Sequence, residues 1–334
     1  MGRIARIALP GIALLVSLVA LIAALNIGGG ANPPLLGDPG LGVRFGLPIA
    51  KLLVDITAAT LIGALVLALW AFDSAEAAYR KAIDLAAGSA FALTISAVAV
   101  GILTFVSVSN TPFSADPKFG QQLWFFVTSI ALGQAWMWTI GLAAIVTVLC
   151  IAVTNQTALF FVGLVAMGSL VPMALQGHAA GISGHAAAIT SLGLHLVFVS
   201  VWFGGVVSLV LLRKHIAAVR LTAIVSRYST LAIIAFIVVA VSGVANAAIR
   251  LGGWDALFTS GYGQLVLLKV VGMLALGFFG FAQRGYLLRR MATDAARSAF
   301  RSFTFCLMAS SRHRCHSVLK PRSEYWLLSL VGNT

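Results

Sequence analysis

Long apolar segments are the feature that most limits how this chain can fold. A helix needs about 20 apolar residues to cross the roughly 30 Å hydrocarbon core of a bilayer, and the sequence contains a series of segments of that length. Hydrophobic residues make up 60% of the chain and charged residues only 9%, whereas soluble domains carry about 25% charged residues. The pattern therefore predicts an all-α protein, a polytopic bundle of transmembrane helices.

We predict about eight transmembrane helices joined by short polar connections. The predicted spans are residues 8–25, 46–72, 82–108, 134–153, 158–176, 186–212, 229–249 and 263–281. Residues 121–153 are too long for one span, because a helix of that length would extend about 50 Å, and too short for two. We therefore place a break near Gly133 and expect an interfacial helix over residues 121–132.

The basic residues orient the predicted bundle. The net charge is +13, but Lys and Arg collect in short connections between apolar segments, which is typical of membrane topology rather than of nucleic-acid binding. With both termini in the cytoplasm, the inner connections hold Arg3, Arg6, Arg80, Lys81, Arg213, Lys214, Arg220, Arg227, Arg284, Arg289 and Arg290. The outer connections hold only Arg44, Lys118 and Arg250. The asymmetry favours this orientation.

Three of the six histidines lie within residues 172–205, in otherwise apolar surroundings. They are His178, His185 and His195, with Met173 just before them. Ionisable residues at or inside a bilayer usually serve a function. Imidazole with thioether sulfur suits copper, and imidazole is also the usual haem ligand. Their spacing is not that of a ready-made metal motif, so satisfied loop and interface histidines are the competing interpretation.

Helix geometry limits how these histidines can meet. His185 and His195 are separated by roughly 15 Å along a continuous helix, too far to share one ion. Residues 177–185 contain three glycines, so this connection is flexible enough to fold back. We expect Met173, His178 and His185 to form an outer metal site and His195, about nine residues into the sixth span, to be a deeper one.

A second polar pair lies in the predicted second span. Lys51 and Asp55 are one helical turn apart and in position to form an ion pair. A lone carboxylate in the bilayer costs several kcal/mol, so Asp55 should pair or face the bundle interior. Two interpretations of Asp55 stay open: it forms a structural ion pair with Lys51, or it belongs to the functional site.

The order of several short motifs resembles the CopD family, the copper-resistance D membrane domain. The matching pieces are GHAAGISGH, LHLVFVSVWFGG, Arg227-Tyr228-Ser229, SGVANAAIRL and YGQLVLLKVV. The resemblance implies a multi-pass protein of the inner or plasma membrane that handles copper, by uptake or by supply to copper enzymes such as cytochrome c oxidase. We expect Cu(I), because a soft ion favours sulfur and imidazole.

The resemblance divides the chain into three parts. Residues 171–290 are the CopD-like transmembrane domain. Residues 1–170 more loosely resemble the N-terminal helices of longer proteins, in which a CopD-like half precedes a CtaG-like half associated with cytochrome c oxidase assembly. Residues 291–334 depart from the pattern and are expected to be a basic cytoplasmic tail, disordered or read in a shifted frame. His313, Cys315 and His316 in that tail are interpreted as part of it rather than as a metal site.

Two classes of function compete. One is copper transport or delivery, with copper ion, the lipid bilayer and a periplasmic copper chaperone or oxidase-assembly protein as partners, and no nucleic acid. The alternative is a haem-binding membrane redox protein that uses transmembrane histidines. A membrane hydrolase has no support, since the sequence lacks a Ser/His/Asp arrangement and an HExxH pattern. We therefore expect no catalytic residues and no enzyme activity.

Overall fold

The computed structural model describes residues 3–27, 30–33, 37–175, 185–251, 253–282 and 284–285. Its elements in chain order are α1 (Arg3–Ile27), α2 (Leu41–Trp70), α3 (Ala77–Ser109), α4 (Pro117–Ser129), α5 (Ala131–Ala152), α6 (Gln156–Gly168), α7 (Val171–Leu175), α8 (His185–Val199), a π-turn (Ser200–Gly204), α9 (Gly205–Leu212), a 3₁₀ turn (Arg213–His215), α10 (Ala218–Leu251), α11 (Ala256–Thr259) and α12 (Gly261–Ala282). Within these ranges every element is helical, which confirms the all-α prediction.

Seven helical segments in the described ranges are long and apolar enough to span a membrane. They are Leu41–Trp70, Ala77–Ser109, Ala131–Ala152, Gln156–Leu175, Ile189–His215, Val219–Ile249 and Gly261–Ala282. Each coincides with one of the predicted spans two to eight. The first predicted span, residues 8–25, lies on α1 (Arg3–Ile27), which includes the apolar stretch Leu14–Ile27. The chain is therefore a polytopic helix bundle, as the apolar segments predicted.

The chain forms two compact units, Met1–Ala275 and Leu276–Thr334. The described part of the first unit contains the core, and the second is described only over residues 276–282 and 284–285. The predicted tail of residues 291–334, with His313, Cys315 and His316, lies outside the described residues.

Small residues position the central helices of the first unit. Ala82, Ala86, Ala90 and Ala97 recur on one face of α3 and are fully buried. Small side chains let helix backbones approach closely, which is how membrane helices gain packing energy without a hydrophobic driving force between them. The face packs into the main core cluster, which also draws residues from α2, α5, α6 and α10.

The break between α4 and α5 lies at Ile130, three residues before the predicted position at Gly133. Ile130 has extended main-chain angles, with φ −99° and ψ 126°, and the Gln134 side chain donates to the Thr128 carbonyl at 2.6 Å. A Cβ on Gly133 would lie 2.1 Å from the Phe126 carbonyl oxygen. The glycine therefore marks where α5 returns against the end of α4, and not the break itself.

The fifth and sixth spans are helical segments that each contain an irregular turn. In the fifth, α6 ends at Gly168 and α7 begins at Val171, directly before Pro172, whose ring cannot continue the hydrogen-bond ladder. In the sixth, the π-turn Ser200–Gly204 separates α8 from α9. The Tyr228 hydroxyl from α10 donates to the Trp202 carbonyl inside this turn.

Candidate metal-ion site between α8 and α10

His195 lies in a polar seam between two apolar helices. Ser191 and His195 are one turn apart on α8, and Ser242 and Asn246 are one turn apart on α10, so each pair shares a helix face. His195 Nδ1 is 3.0 Å from the Ser242 hydroxyl oxygen. The Ser191 hydroxyl donates to the Ser242 main-chain carbonyl at 3.1 Å. The seam therefore ties α8 to α10 at the level of the histidine.

Ser242 is held from two sides. Its side chain is buried, with 4% of the residue exposed, and its hydroxyl donates to the Val238 carbonyl at 2.6 Å, one turn back along α10. Asn246 Nδ2 donates to the Ser242 carbonyl at 3.0 Å. Such contacts satisfy polar groups inside a membrane-spanning segment. The hydroxyl that faces His195 consequently has a fixed direction.

Gly243 lies beside the imidazole ring. A Cβ at this position would lie 3.4 Å from His195 Cε1 and 3.7 Å from Nδ1. The ring therefore rests on the α10 main chain beside Ser242.

The other predicted ligands are only partly described. Met173 is on α7, half-buried, and packs against the main core cluster. His185 begins α8, but its side chain is outside the described part, as is all of His178. Ala174 lies 3.8 Å from the position of a Cβ on Gly193, so α7 does contact α8. The predicted cluster of Met173, His178, His185 and His195 stays a prediction.

A metal site usually needs several ligating side chains close together. Within these ranges, no three of the His, Cys, Asp and Glu side chains converge on one point. The role of His195 as a metal ligand stays a prediction. The donor type fits copper, which imidazole suits.

Lys51 and Asp55 do not close the ion pair considered from the sequence. Both side chains are exposed in the structure. The salt bridges formed by described residues are Arg44–Asp38, Lys81–Asp84 and Arg220–Glu76. Both interpretations of Asp55, as the electrostatic partner of Lys51 and as part of a functional site, therefore stay predictions.

The sequence reasoning missed the partners of His195. Ser191 precedes the histidine by four residues, a spacing that places both on one helix face, and this signal was available. Ser242, Gly243 and Asn246 were noticed only as parts of a family motif. Nothing in one sequence indicates which face of α10 meets α8.

Two family models match the chain. The model for the N-terminal domain of copper resistance protein D-like proteins matches residues 42–188, and the model for copper resistance protein D matches residues 222–309. No solved structure matches.

Two curated relatives are similar to the chain. Inner membrane protein YebZ of Escherichia coli (strain K12) is 29% identical over 188 residues, which are 54% of this chain and 63% of the relative. Copper transport protein CutJ of Bacillus subtilis (strain 168) is 35% identical over 130 residues, 37% of this chain and 23% of the relative. The matched region thus spans less than two thirds of each relative.

Proposed function

We propose that this chain, which belongs to the copper resistance protein D family, moves copper ions into or across the membrane and that His195 binds the ion inside the bundle. One observation carries the proposal: an imidazole inside an apolar helix pair, fixed by Ser242 at 3.0 Å. Ionisable residues within spans usually mark ion or substrate paths. The similar CutJ is named a copper transport protein, which points to copper as the ion.

The outer ligands in this proposal are those expected from the sequence. His178 and His185 capture Cu(I) at the mouth of the fifth and sixth spans, with Met173 as a sulfur ligand below them. His195 then receives the ion deeper in the bundle. Imidazole and thioether ligands favour the cuprous state.

The destination of the copper is a finer part of the proposal. We assign the protein to the plasma membrane, since the similar YebZ is an inner membrane protein. A periplasmic copper chaperone would supply the ion, and a copper enzyme such as cytochrome c oxidase, reached through an assembly protein, would receive it.

The haem alternative is less well supported. The histidines with described side chains are His195 and His215, and both lie in the span Ile189–His215. Twenty residues of helix separate them by about 30 Å, so they cannot hold one haem between them. A visible absorption spectrum of the purified protein checks this: we expect no Soret band, and a strong one would favour the redox function.

The copper proposal is tested by metal content and by uptake. Wild type, His195→Ala, the double variant His178→Ala/His185→Ala and the control His215→Ala are purified under reducing conditions and loaded with Cu(I). We expect the double variant to lose bound copper and His215→Ala to retain it. Copper uptake into proteoliposomes should fall more in His195→Ala than its initial binding does.

The proposal is overturned if wild type, His195→Ala and the double variant have the same copper content, the same uptake and unchanged melting temperatures. These histidines would then be interface residues rather than copper ligands.

A further inference from the structure

We infer that Ser242 is a positioning residue that sets the tautomer of His195, so that Nδ1 carries the hydrogen and Nε2 is the nitrogen offered to the ion. The part that concerns copper rests on the proposed function. The tautomer itself concerns only the protein and can be measured without metal.

The single hydrogen of the Ser242 hydroxyl decides which way the contact with His195 runs. A serine hydroxyl has one hydrogen to donate and two lone pairs. The Ser242 oxygen lies 2.6 Å from the Val238 carbonyl oxygen, and a carbonyl can only accept. Two oxygens at this distance need a hydrogen between them, so the hydroxyl hydrogen is committed to Val238. Towards His195 the Ser242 oxygen is therefore an acceptor.

The contact with the ring then has one consistent arrangement. His195 Nδ1 is 3.0 Å from the Ser242 oxygen, so Nδ1 must supply the hydrogen of this bond. The opposite tautomer would place a nitrogen lone pair against an oxygen lone pair inside an apolar interface, where unsatisfied polar groups are costly. A neutral imidazole with its hydrogen on Nδ1 presents its remaining lone pair on Nε2.

The neighbouring contacts keep the Ser242 oxygen in this role. The hydroxyl of Ser191 and the amide of Asn246 both donate to the Ser242 carbonyl, at 3.1 and 3.0 Å. They fix the main chain at position 242 relative to α8, and Gly243 lies beside the ring. Histidines that bind metals usually donate their other N–H to such a partner, which fixes the ring and its tautomer.

The tautomer is tested by nitrogen NMR of metal-free protein labelled with ¹⁵N-histidine, at a pH where imidazole is neutral. His195→Gln identifies the His195 signals by difference. Nε2 couples to both ring C–H protons and Nδ1 to one, so the two nitrogens are distinguishable. We expect the hydrogen on Nδ1 in wild type and in Ser191→Ala, and a mixture of tautomers in Ser242→Ala. A hydrogen on Nε2 in wild type would overturn the inference, whatever the protein does with copper.

The consequence for copper is tested with the same variants. We expect Ser242→Ala to lower copper uptake into proteoliposomes about tenfold, the lower end of the effect of removing such a partner. Ser242→Thr keeps the hydroxyl and should restore both the tautomer and most of the uptake. Wild-type uptake by a folded Ser242→Ala variant would overturn the positioning role.

The two hypotheses fail in different ways. Unchanged copper uptake in His195→Ala would overturn the proposed role of His195 and leave the NMR assignment intact. If Ser242→Ala does not fold, the wild-type NMR spectrum and Ser242→Thr still decide the tautomer.

Discussion

Glycine at position 204 lets the main chains of two spans touch. A Cβ there would lie 1.7 Å from the Ala59 carbonyl oxygen on α2, and a Cβ on Gly63 would lie 2.0 Å from the Gly204 carbonyl carbon. The Ser208 hydroxyl donates to the Thr60 carbonyl at 3.2 Å in the same contact. Backbone atoms cannot move aside as a flexible side chain can, so this contact between α2 and the π-turn depends on the absence of side chains.

We expect Gly204→Ala to destabilise the protein by about 3 kcal/mol or more, because the added methyl group overpacks a contact that cannot relax. Gly63→Ala should act similarly. The measurement is the melting temperature in detergent. Gly141→Ala is the matched control, since a Cβ there meets nothing within 4 Å, and it should leave the melting temperature unchanged or raise it slightly through helix propensity. Equal melting temperatures in Gly204→Ala and Gly141→Ala would contradict the close contact.

Among the elements, the π-turn Ser200–Gly204 is the most distinctive. A π-turn inserts a residue into the helix and frequently occurs at functional sites. Here Tyr228 from α10 provides the compensating donor to the Trp202 carbonyl, while Trp202 packs edge-on against Phe236 with ring centroids 5.2 Å apart. The turn lies directly after α8, which carries His195. It therefore fixes the direction of the candidate site relative to α9.

We expect Tyr228→Phe to lower stability by about 1 kcal/mol, the typical net contribution of one hydrogen bond, because the Trp202 carbonyl still accepts from the Gly205 main-chain N–H. The ring is retained, so its packing against Gly205 is preserved. Thermal unfolding in detergent measures the effect, with Tyr262→Phe on α12 as the control, because that tyrosine is 37% exposed. A Tyr228→Phe variant as stable as the control would show that water or another group satisfies the turn.

Helices were predictable from the sequence because their signal is local, whereas their interruptions depend on neighbours. Apolar length alone located the spans that became α2, α3, α5 and α12. The sequence predicts the break at Gly133 rather than at Ile130, because a glycine can mark either a helix break or a close contact between helices. The π-turn had no local signal, since its stabilising donor, Tyr228, comes from another span.

The candidate site was predictable to the same limited extent. An ionisable residue in an apolar segment is conspicuous, so His195 was found. The hydroxyl that orients it was not, because Ser242 acquires that role only when α10 packs against α8. The contribution of Met173, His178 and His185 stays a prediction.

For the whole molecule, the contacts show which connections share one face of the bundle. Arg220 from the start of α10 pairs with Glu76, before α3, at 3.2 Å. The Tyr79 hydroxyl donates to the Thr154 carbonyl at 3.0 Å, so the uncharged connection between α5 and α6 lies on this face too. All three connections were predicted to be cytoplasmic.

The opposite face carries the connections predicted to be outside. Gly37, before α2, lies against the Asn110 side chain at the end of α3, where a Cβ would be only 1.9 Å from Nδ2. The Arg44 side chain pairs with Asp38 in the same region at 3.3 Å. Few basic residues lie in these connections. The contacts and the charge asymmetry therefore group the same connections on this face.

Which face is cytoplasmic is a prediction of the charge asymmetry, and cysteine labelling tests it. In a background without Cys150, Cys306 and Cys315, a membrane-impermeant maleimide should label Ser183→Cys from outside the cell. It should label Ala217→Cys, beside the basic turn Arg213–His215, only after permeabilisation. The basic residues are held inside because moving them across the membrane is unfavourable during insertion. The reverse labelling pattern would place both termini outside and His195 in the cytoplasmic half, so the ion would reach it from the cytoplasm.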